Sequence, residues 1–293
     1  MLKRCLLLAL FTLALPLAAE LQAANDRLLF WEVPTARGTT WLLGSLHLAR
    51  ADIYPLRQEI MSAFETSGTL VVEVDIGGAN QFAVQQRILE LGTYPAGESI
   101  EDDLSAQTWK DLQARLDASG LPAFMMMQLK PGLVVTTLTT MEMMKLGLNP
   151  ELGVDKHFLT LARGNKPIVE LETVDQQIGL LLDFPNPNLL VRQTLLQMDN
   201  LEAIMNELIS KWKRGDARGL RKLVLEDELS RHPEFRPLQE RLFDQRNRAM
   251  TERILQLQAR GGDYFVVVGA GHLLGDQGII ALLGKRGLKP RQL

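Results

Sequence analysis

The stretch Thr39-Thr-Trp-Leu-Leu-Gly-Ser-Leu-His47 is an apolar, strand-like run that ends at a glycine and is followed by a histidine. The stretch Tyr264-Phe-Val-Val-Val-Gly-Ala-Gly-His272 repeats this pattern near the other end of the chain. Each glycine permits a sharp exit from its strand, so each imidazole would project at the strand's carboxyl end, where open α/β sheets bind ligands. His47 and His272 are two of only 4 histidines. The sequence therefore predicts that they share one site, as the ligands of a metal centre do.

Two other strand-like runs carry acids. Residues 69–76 are predicted to form a strand with Glu73 in its middle, and residues 166–172 a strand with Glu170 and Glu172 on one face. An unpaired buried carboxylate costs several kcal/mol, so it must meet a cation, accept hydrogen bonds or become protonated. A metal ion would satisfy these acids, and so would exposure at a strand end or pairing with an arginine.

The remaining pattern predicts few strands separated by much helix. Further strands are predicted at residues 28–33, 39–43 and 263–268, and helices at 55–64, 81–91, 104–118, 154–162, through most of 175–260, and at 276–283. This order favours an α/β fold with a single domain over residues 25–293, in which many helices cover a mixed β-sheet core.

The first residues predict export. Lys3 and Arg4 precede an apolar run, and alanines at 18–19 and 23–24 offer cleavage positions, so residues 1–24 are predicted to be a signal peptide. The apolar run is shorter than a typical spanning helix, which favours a leader that is removed; an uncleaved anchor is the alternative. We expect a periplasmic or secreted protein with no stable membrane span after removal of the leader.

Composition narrows the possible chemistry. Cys5 is the only cysteine and lies in the leader, so the exported chain would hold a metal through nitrogen and oxygen atoms. The formal net charge of -3 gives no basic surface for nucleic acid. His157 and His232 are predicted to lie at the surface. Arg246 and Asn247 lie on a charged helix, where either a solvated face or contact with a substrate is consistent with the pattern.

Together these residues resemble the TraB/GumN family, which includes the Tiki-type metalloproteases of the secretory pathway. The resemblance covers nearly all of residues 25–293. It rests on motifs that occur in this order: Leu42-Leu-Gly-Ser-Leu-His47, Tyr54-Pro-Leu56, Val71-Val-Glu-Val-Asp75, Gly153-Val-Asp155, Leu171-Glu172 with Gln177, Arg246-Asn247, and Val267-Val-Gly-Ala-Gly-His272 with Gly275.

The resemblance implies a fold similar to erythromycin-esterase-like and haem-binding ChaN-like proteins, and a divalent-metal site. The residues it implies are His47, Glu73, Glu172 and His272 at the centre, with Arg246 and Asn247 in support. Two positions depart from the family pattern. Gly132 stands where a large aromatic is expected, and Glu170 stands where a small residue is common, which leaves the choice between Glu170 and Glu172 open.

We therefore predict an exported metal-dependent hydrolase, with a peptide or protein as substrate. Mn²⁺, Co²⁺ or Zn²⁺ would be held by His47, His272 and one or more glutamates, with a coordination position open for water. Glu73 or Glu172 would act as general base, and Arg246 would stabilise the oxyanion or anchor the substrate. The alternatives are a protein that binds haem, a metal or a peptide signal without chemistry, and an interaction protein in which these residues only form turns.

Overall fold

The computed structural model describes residues 26–75, 78 and 81–293. Its strands form one sheet. In spatial order the first four strands run parallel to one another, the fifth runs antiparallel to the fourth, and the sixth runs antiparallel to the fifth. The strands are β1 (Phe30–Thr35), β2 (Gly38–Ser45), β3 (Thr69–Val72), β4 (Ile168–Glu170), β5 (Tyr264–Gly269) and β6 (Arg291–Gln292), in the spatial order β4-β3-β5-β2-β1-β6. The predicted mixed sheet is confirmed.

Helices fill the connections between the strands. They are α1 (Gln58–Thr66), α2 (Gln81–Gly92), α3 (Ile100–Asp103), α4 (Ala106–Ser119), α5 (Ala123–Met126), α6 (Pro131–Lys145), α7 (Val154–Ala162), α8 (Val174–Leu182), α9 (Pro187–Met198), α10 (Leu201–Lys213), α11 (Ala217–Arg221), α12 (Asp227–Arg231), α13 (Arg236–Gln239), α14 (Gln245–Arg260) and α15 (Ile279–Lys285). Two π-helical turns, Lys222–Glu226 and Glu240–Asp244, interrupt the helical region before α14.

The main hydrophobic core lies against the sheet. Phe265 of β5 is fully buried, and its ring lies 4.8 Å from that of Phe158 on α7 and 5.6 Å from that of Phe64 on α1. A second core lies among α3, α4, α6 and α9, where Leu112 and Val134 are fully buried. Burial of apolar side chains on this scale is the main force that fixes the helices on the sheet.

Two local predictions need correction. β3 ends at Val72 and not at residue 76, so Glu73 follows the strand and does not lie within it. The last paired residue of β3, Val72, faces Val267 and Glu170. Beyond it the backbone N–H of Gly269 donates to the side chain of Glu73 and not to the backbone of this segment. His157 is half-buried and not a surface residue, because its ring packs 4.8 Å from that of Tyr54.

The predicted signal peptide, residues 1–24, lies outside the described residues. Within the residues that are described, none of the helices combines the length and the apolar character needed to cross a membrane.

Candidate functional site

The parallel strands deliver four of the predicted side chains to one edge of the sheet. Glu73 directly follows β3, Glu172 lies two residues after β4, His47 lies two residues after β2, and His272 lies three residues after β5. The carboxyl ends of parallel strands meet at the same edge, which is where such sheets bind ligands. The structure thus brings together residues that are far apart in the sequence.

Gly269 marks the point at which these groups converge. A Cβ atom placed on Gly269 would lie 3.2 Å from Oε1 of Glu73, 3.5 Å from Nε2 of His47 and 3.5 Å from Cδ2 of His272. Each of the two imidazoles therefore has an atom 3.5 Å from the same point. Nε2 of His272 is 3.6 Å from Oε1 of Glu73. Gly269 also donates its backbone N–H to that oxygen at 2.5 Å.

His272 is held in one orientation by Asn247. Asn247 on α14 donates its Nδ2 to the carbonyl of Gln277, so its Oδ1 faces Nδ1 of His272, 2.6 Å away, as an acceptor. Nδ1 therefore carries the hydrogen, and the lone pair of Nε2 points toward Glu73. Burial lowers the pKa of His272 to about 4, so that the ring is neutral at pH 7.

His47 is oriented by a different partner. Its Nδ1 lies 3.3 Å from Oδ2 of Asp155 in the first turn of α7. α7 can approach because residue 153 is a glycine, and a Cβ there would stand 2.4 Å from the carbonyl oxygen of His47. Desolvation lowers the pKa of His47, but Asp155 and the charge of Glu73 outweigh it and raise the pKa to about 9. The side chain of His47 is 60% exposed.

Arg246 on α14 connects the two glutamates. Its Nη2 donates to Oε2 of Glu73 at 2.7 Å and to Oε2 of Glu172 at 2.6 Å, and its Nε donates to Oε1 of Glu172 at 2.8 Å. Gln177 on α8 also donates to both carboxylates. Burial raises the pKa of Glu73, but the neighbouring imidazoles and Arg246 lower it to about 2. Glu73 is therefore an anion at neutral pH.

The structure separates Glu172 from Glu170. Glu172 joins the Arg246 cluster, whereas Glu170 is exposed and accepts the backbone N–H of Asp75. Two further members of the site, Asp155 and Gln177, were present in the family motifs but had no predicted role. Their signal was position. Asp155 lies in the first turn of α7, two residues after Gly153, and Gln177 lies in the first turns of the helix that follows Glu172.

The donor atoms suit a divalent metal in type, and in part in geometry. Two ligands of one tetrahedral zinc ion stand about 3.4 Å apart, given bond lengths of about 2.0–2.2 Å. The 3.6 Å between His272 and Glu73 is close to this separation. Across the described residues, however, no three His, Cys, Asp or Glu side chains are already arranged as a complete metal site. His47 would have to approach the other two donors.

Ser45 provides an independent indication of a missing partner. Its Oγ is buried and has no hydrogen-bond partner within the part of the chain that the structure describes. Ser45 is the register neighbour of Gly269 on the adjacent parallel strand, so the two residues face the same side of the sheet. An unsatisfied buried hydroxyl is costly, and it lies beside the point where the site converges.

Comparison with known proteins places the chain in a family. Uncharacterized protein YbaP of Escherichia coli (strain K12) is 26% identical over 244 residues, which cover 83% of this chain and 86% of YbaP. An uncharacterized protein of Treponema pallidum (strain Nichols) is 21% identical over 272 residues, or 89% of this chain and 81% of that protein. No solved structure matches. The TraB/PrgY/gumN family model matches residues 29–292, and the chain therefore belongs to this family.

Proposed function

We propose that the protein is an exported, divalent-metal-dependent hydrolase that cleaves peptide bonds. The observation that carries the proposal is the convergence of Nε2 of His47, Oε1 of Glu73 and the ring of His272 on one point in front of Gly269. Two imidazoles and one carboxylate are the donor set of several catalytic zinc sites. Mn²⁺, Co²⁺ and Zn²⁺ are all compatible with such donors.

Each residue then has a separate task. His47, Glu73 and His272 would hold the metal, and Asp155 and Asn247 orient the two rings. Arg246 donates to Glu73, to Glu172 and to the carbonyl of Leu242, so we assign it to holding the carboxylates. Glu172 is the remaining carboxylate of the cluster and is the proposed proton acceptor. Arg246 donates to both carboxylate oxygens of Glu172, so Glu172 is held in place as an anion. This supports a role other than that of metal ligand.

A divalent metal in a site of this kind activates water and polarises a carbonyl. In the overall reaction, the hydroxyl of water joins the carbonyl carbon, the C–N bond breaks, and the amine nitrogen takes the proton. Proteolysis is the proposed reaction because the family resemblance includes metalloproteases and because the site lies at an open sheet edge. Export is proposed from the leader sequence, and comparing the N-terminus of the purified native protein with Met1 tests it.

Metal stoichiometry tests the ligands before any substrate is chosen. The stripped protein is dialysed against Mn²⁺, Co²⁺ or Zn²⁺, and the bound metal is measured by mass spectrometry. His47→Ala and His272→Ala should each abolish binding and leave the helical circular dichroism signal nearly intact. His232→Ala is the matched control, because this histidine lies outside the site. Stoichiometric metal in both site variants would refute the ligand assignment.

Activity requires a second test. The metal-loaded protein is incubated with a diverse peptide library, with and without a chelator. Cleavage that the chelator abolishes supports the hydrolase. Tight retention of haem or of a peptide with no turnover would instead support a binding protein.

A further inference from the structure

An apolar cavity lies beside the carboxylate cluster. Its volume is about 100 Å³. The segment that follows β3 and the helices α2, α6 and α8 form its walls. The side chains that line it include Val74, Ile88, Leu133 and Ile178. Among the described residues that line it, Gln177 alone is polar. A cavity with so few polar groups favours an apolar occupant over water.

Gln177 connects this cavity to the candidate site. The same side chain that lines the cavity donates its Nε2 to Glu172 at 2.9 Å and to Glu73 at 3.3 Å. Val74, which also lines the cavity, directly follows Glu73 in the chain. The cavity therefore lies within one side-chain length of the carboxylates.

Large apolar side chains are also exposed on two of the helices that line the cavity. Leu181 lines it and is 41% exposed, so the cavity reaches the surface. On α2, Phe82 is 67% exposed and Leu89 is 54% exposed. Large exposed apolar residues on the elements that form a pocket are consistent with a surface that binds a ligand.

We propose that this cavity binds an aliphatic side chain of the peptide substrate, adjacent to the bond that is cleaved. The inference rests on the proposed peptidase function and specifies its substrate. An apolar cavity of about 150 Å³ accommodates benzene in another protein, so the smaller cavity here suits valine, leucine or isoleucine better than tryptophan. A charged side chain would lose its hydration there and gain no partner.

Peptides that differ at one position test the proposal. The metal-loaded protein is given labelled peptides that carry Ala, Leu, Phe, Trp or Lys at each position near the cleaved bond. At one position, leucine should exceed alanine and lysine by about 10-fold or more in kcat/KM. Ile88→Phe, which fills the cavity, should remove this preference. Leu133→Ala, which enlarges it, should shift the preference toward phenylalanine.

The control is Leu196→Phe, a similar change at an exposed leucine that lines a different hollow. It should leave the preference unchanged, and thermal unfolding of each variant confirms that it folds. Cleavage with the same rate for every side chain, or a preference that neither cavity variant alters, would overturn the inference.

Absence of cleavage would count against the peptidase and not against the cavity, so binding of the same peptides is measured by fluorescence anisotropy. A lower Kd for leucine peptides that Ile88→Phe abolishes supports the cavity. Equal Kd values for all the peptides overturn it. Binding of a fluorescent fatty acid by a protein that binds none of the peptides also overturns it.

Discussion

At the scale of single residues, the candidate site depends on the side chain that Gly269 lacks. The backbone of Gly269, with φ -51 and ψ 136, is accessible to any L residue, so the glycine is not required by conformation. What it provides is space, because a methyl group there would lie 3.2 to 3.5 Å from atoms of Glu73, His47 and His272. This space is where the proposed metal would be bound.

Gly269→Ala should therefore separate folding from binding. Glu73 must shift by only a few tenths of an ångström, so we expect the free energy of unfolding to change by less than about 1.5 kcal/mol. Metal affinity should fall below detection because the methyl group occupies the site. Urea denaturation and isothermal titration with Co²⁺ measure the two effects. Unchanged Co²⁺ affinity in a folded variant would show that the metal binds elsewhere in the protein.

Arg246 belongs to the same scale, since it is the cation that both glutamates share. Its side chain is 15% exposed, and those of Glu73 and Glu172 are 9% and 10% exposed. Arg246→Leu leaves two nearly buried carboxylates without the cation that they share and should cost about 3–5 kcal/mol in unfolding free energy. Arg286→Leu, which breaks a surface pair with Glu252, should cost less than about 1 kcal/mol. Similar losses in the two variants would show that the buried cluster contributes no more to the unfolding free energy than a surface ion pair does.

At the scale of elements, the contact between α6 and α8 leaves room only for glycine at residue 132, where the family resemblance led us to expect a large aromatic. A Cβ on Gly132 would stand 1.7 Å from the carbonyl oxygen of Leu181. No side chain fits there, so an aromatic at this position requires a different separation of the two helices. The same pair of helices forms two walls of the apolar cavity.

Gly132→Ala should accordingly push α6 and α8 apart. The clash involves backbone, which yields less readily than a side chain, so we expect a loss of about 1–3 kcal/mol or more. Gly284→Ala on α15 is the matched control, because a Cβ there meets nothing within 4 Å. Alanine in that helix should stabilise the protein by about 0.5 kcal/mol. Thermal unfolding of both variants measures these changes. An unchanged stability of Gly132→Ala would mean that the two helices can separate without a loss of unfolding free energy.

The elements also show how far sequence reasoning reaches. Apolar runs that end in glycine predicted β2 and β5 and the edge to which His47 and His272 belong. Alternation within residues 69–76 did not predict that β3 ends at Val72, because strand length depends on neighbours that the pattern does not contain. For the same reason the pairing of Arg246 with Glu172, and the exclusion of Glu170, required the fold.

At the scale of the whole molecule, the site exists only in the folded chain. The three proposed ligands follow three different strands, and 225 positions separate His47 from His272 in the numbering. An unfolded chain cannot hold them together, so a metal that binds them binds the native state almost exclusively. Binding must then raise the free energy of unfolding by an amount set by the ratio of free metal to Kd.

This linkage gives a test that needs no substrate. At a free metal concentration of about 100 times Kd, the stabilisation is about 2.7 kcal/mol, which corresponds to a rise in Tm of roughly 5–10 °C for a chain of this size. We expect this rise with Mn²⁺, Co²⁺ or Zn²⁺ in the natural chain and no rise in Gly269→Ala or His272→Ala. Mg²⁺ should have little effect, since it prefers oxygen ligands. An equal rise in all three proteins would place the stabilising ion outside the strand-end site, because the two variants differ from the natural chain only there.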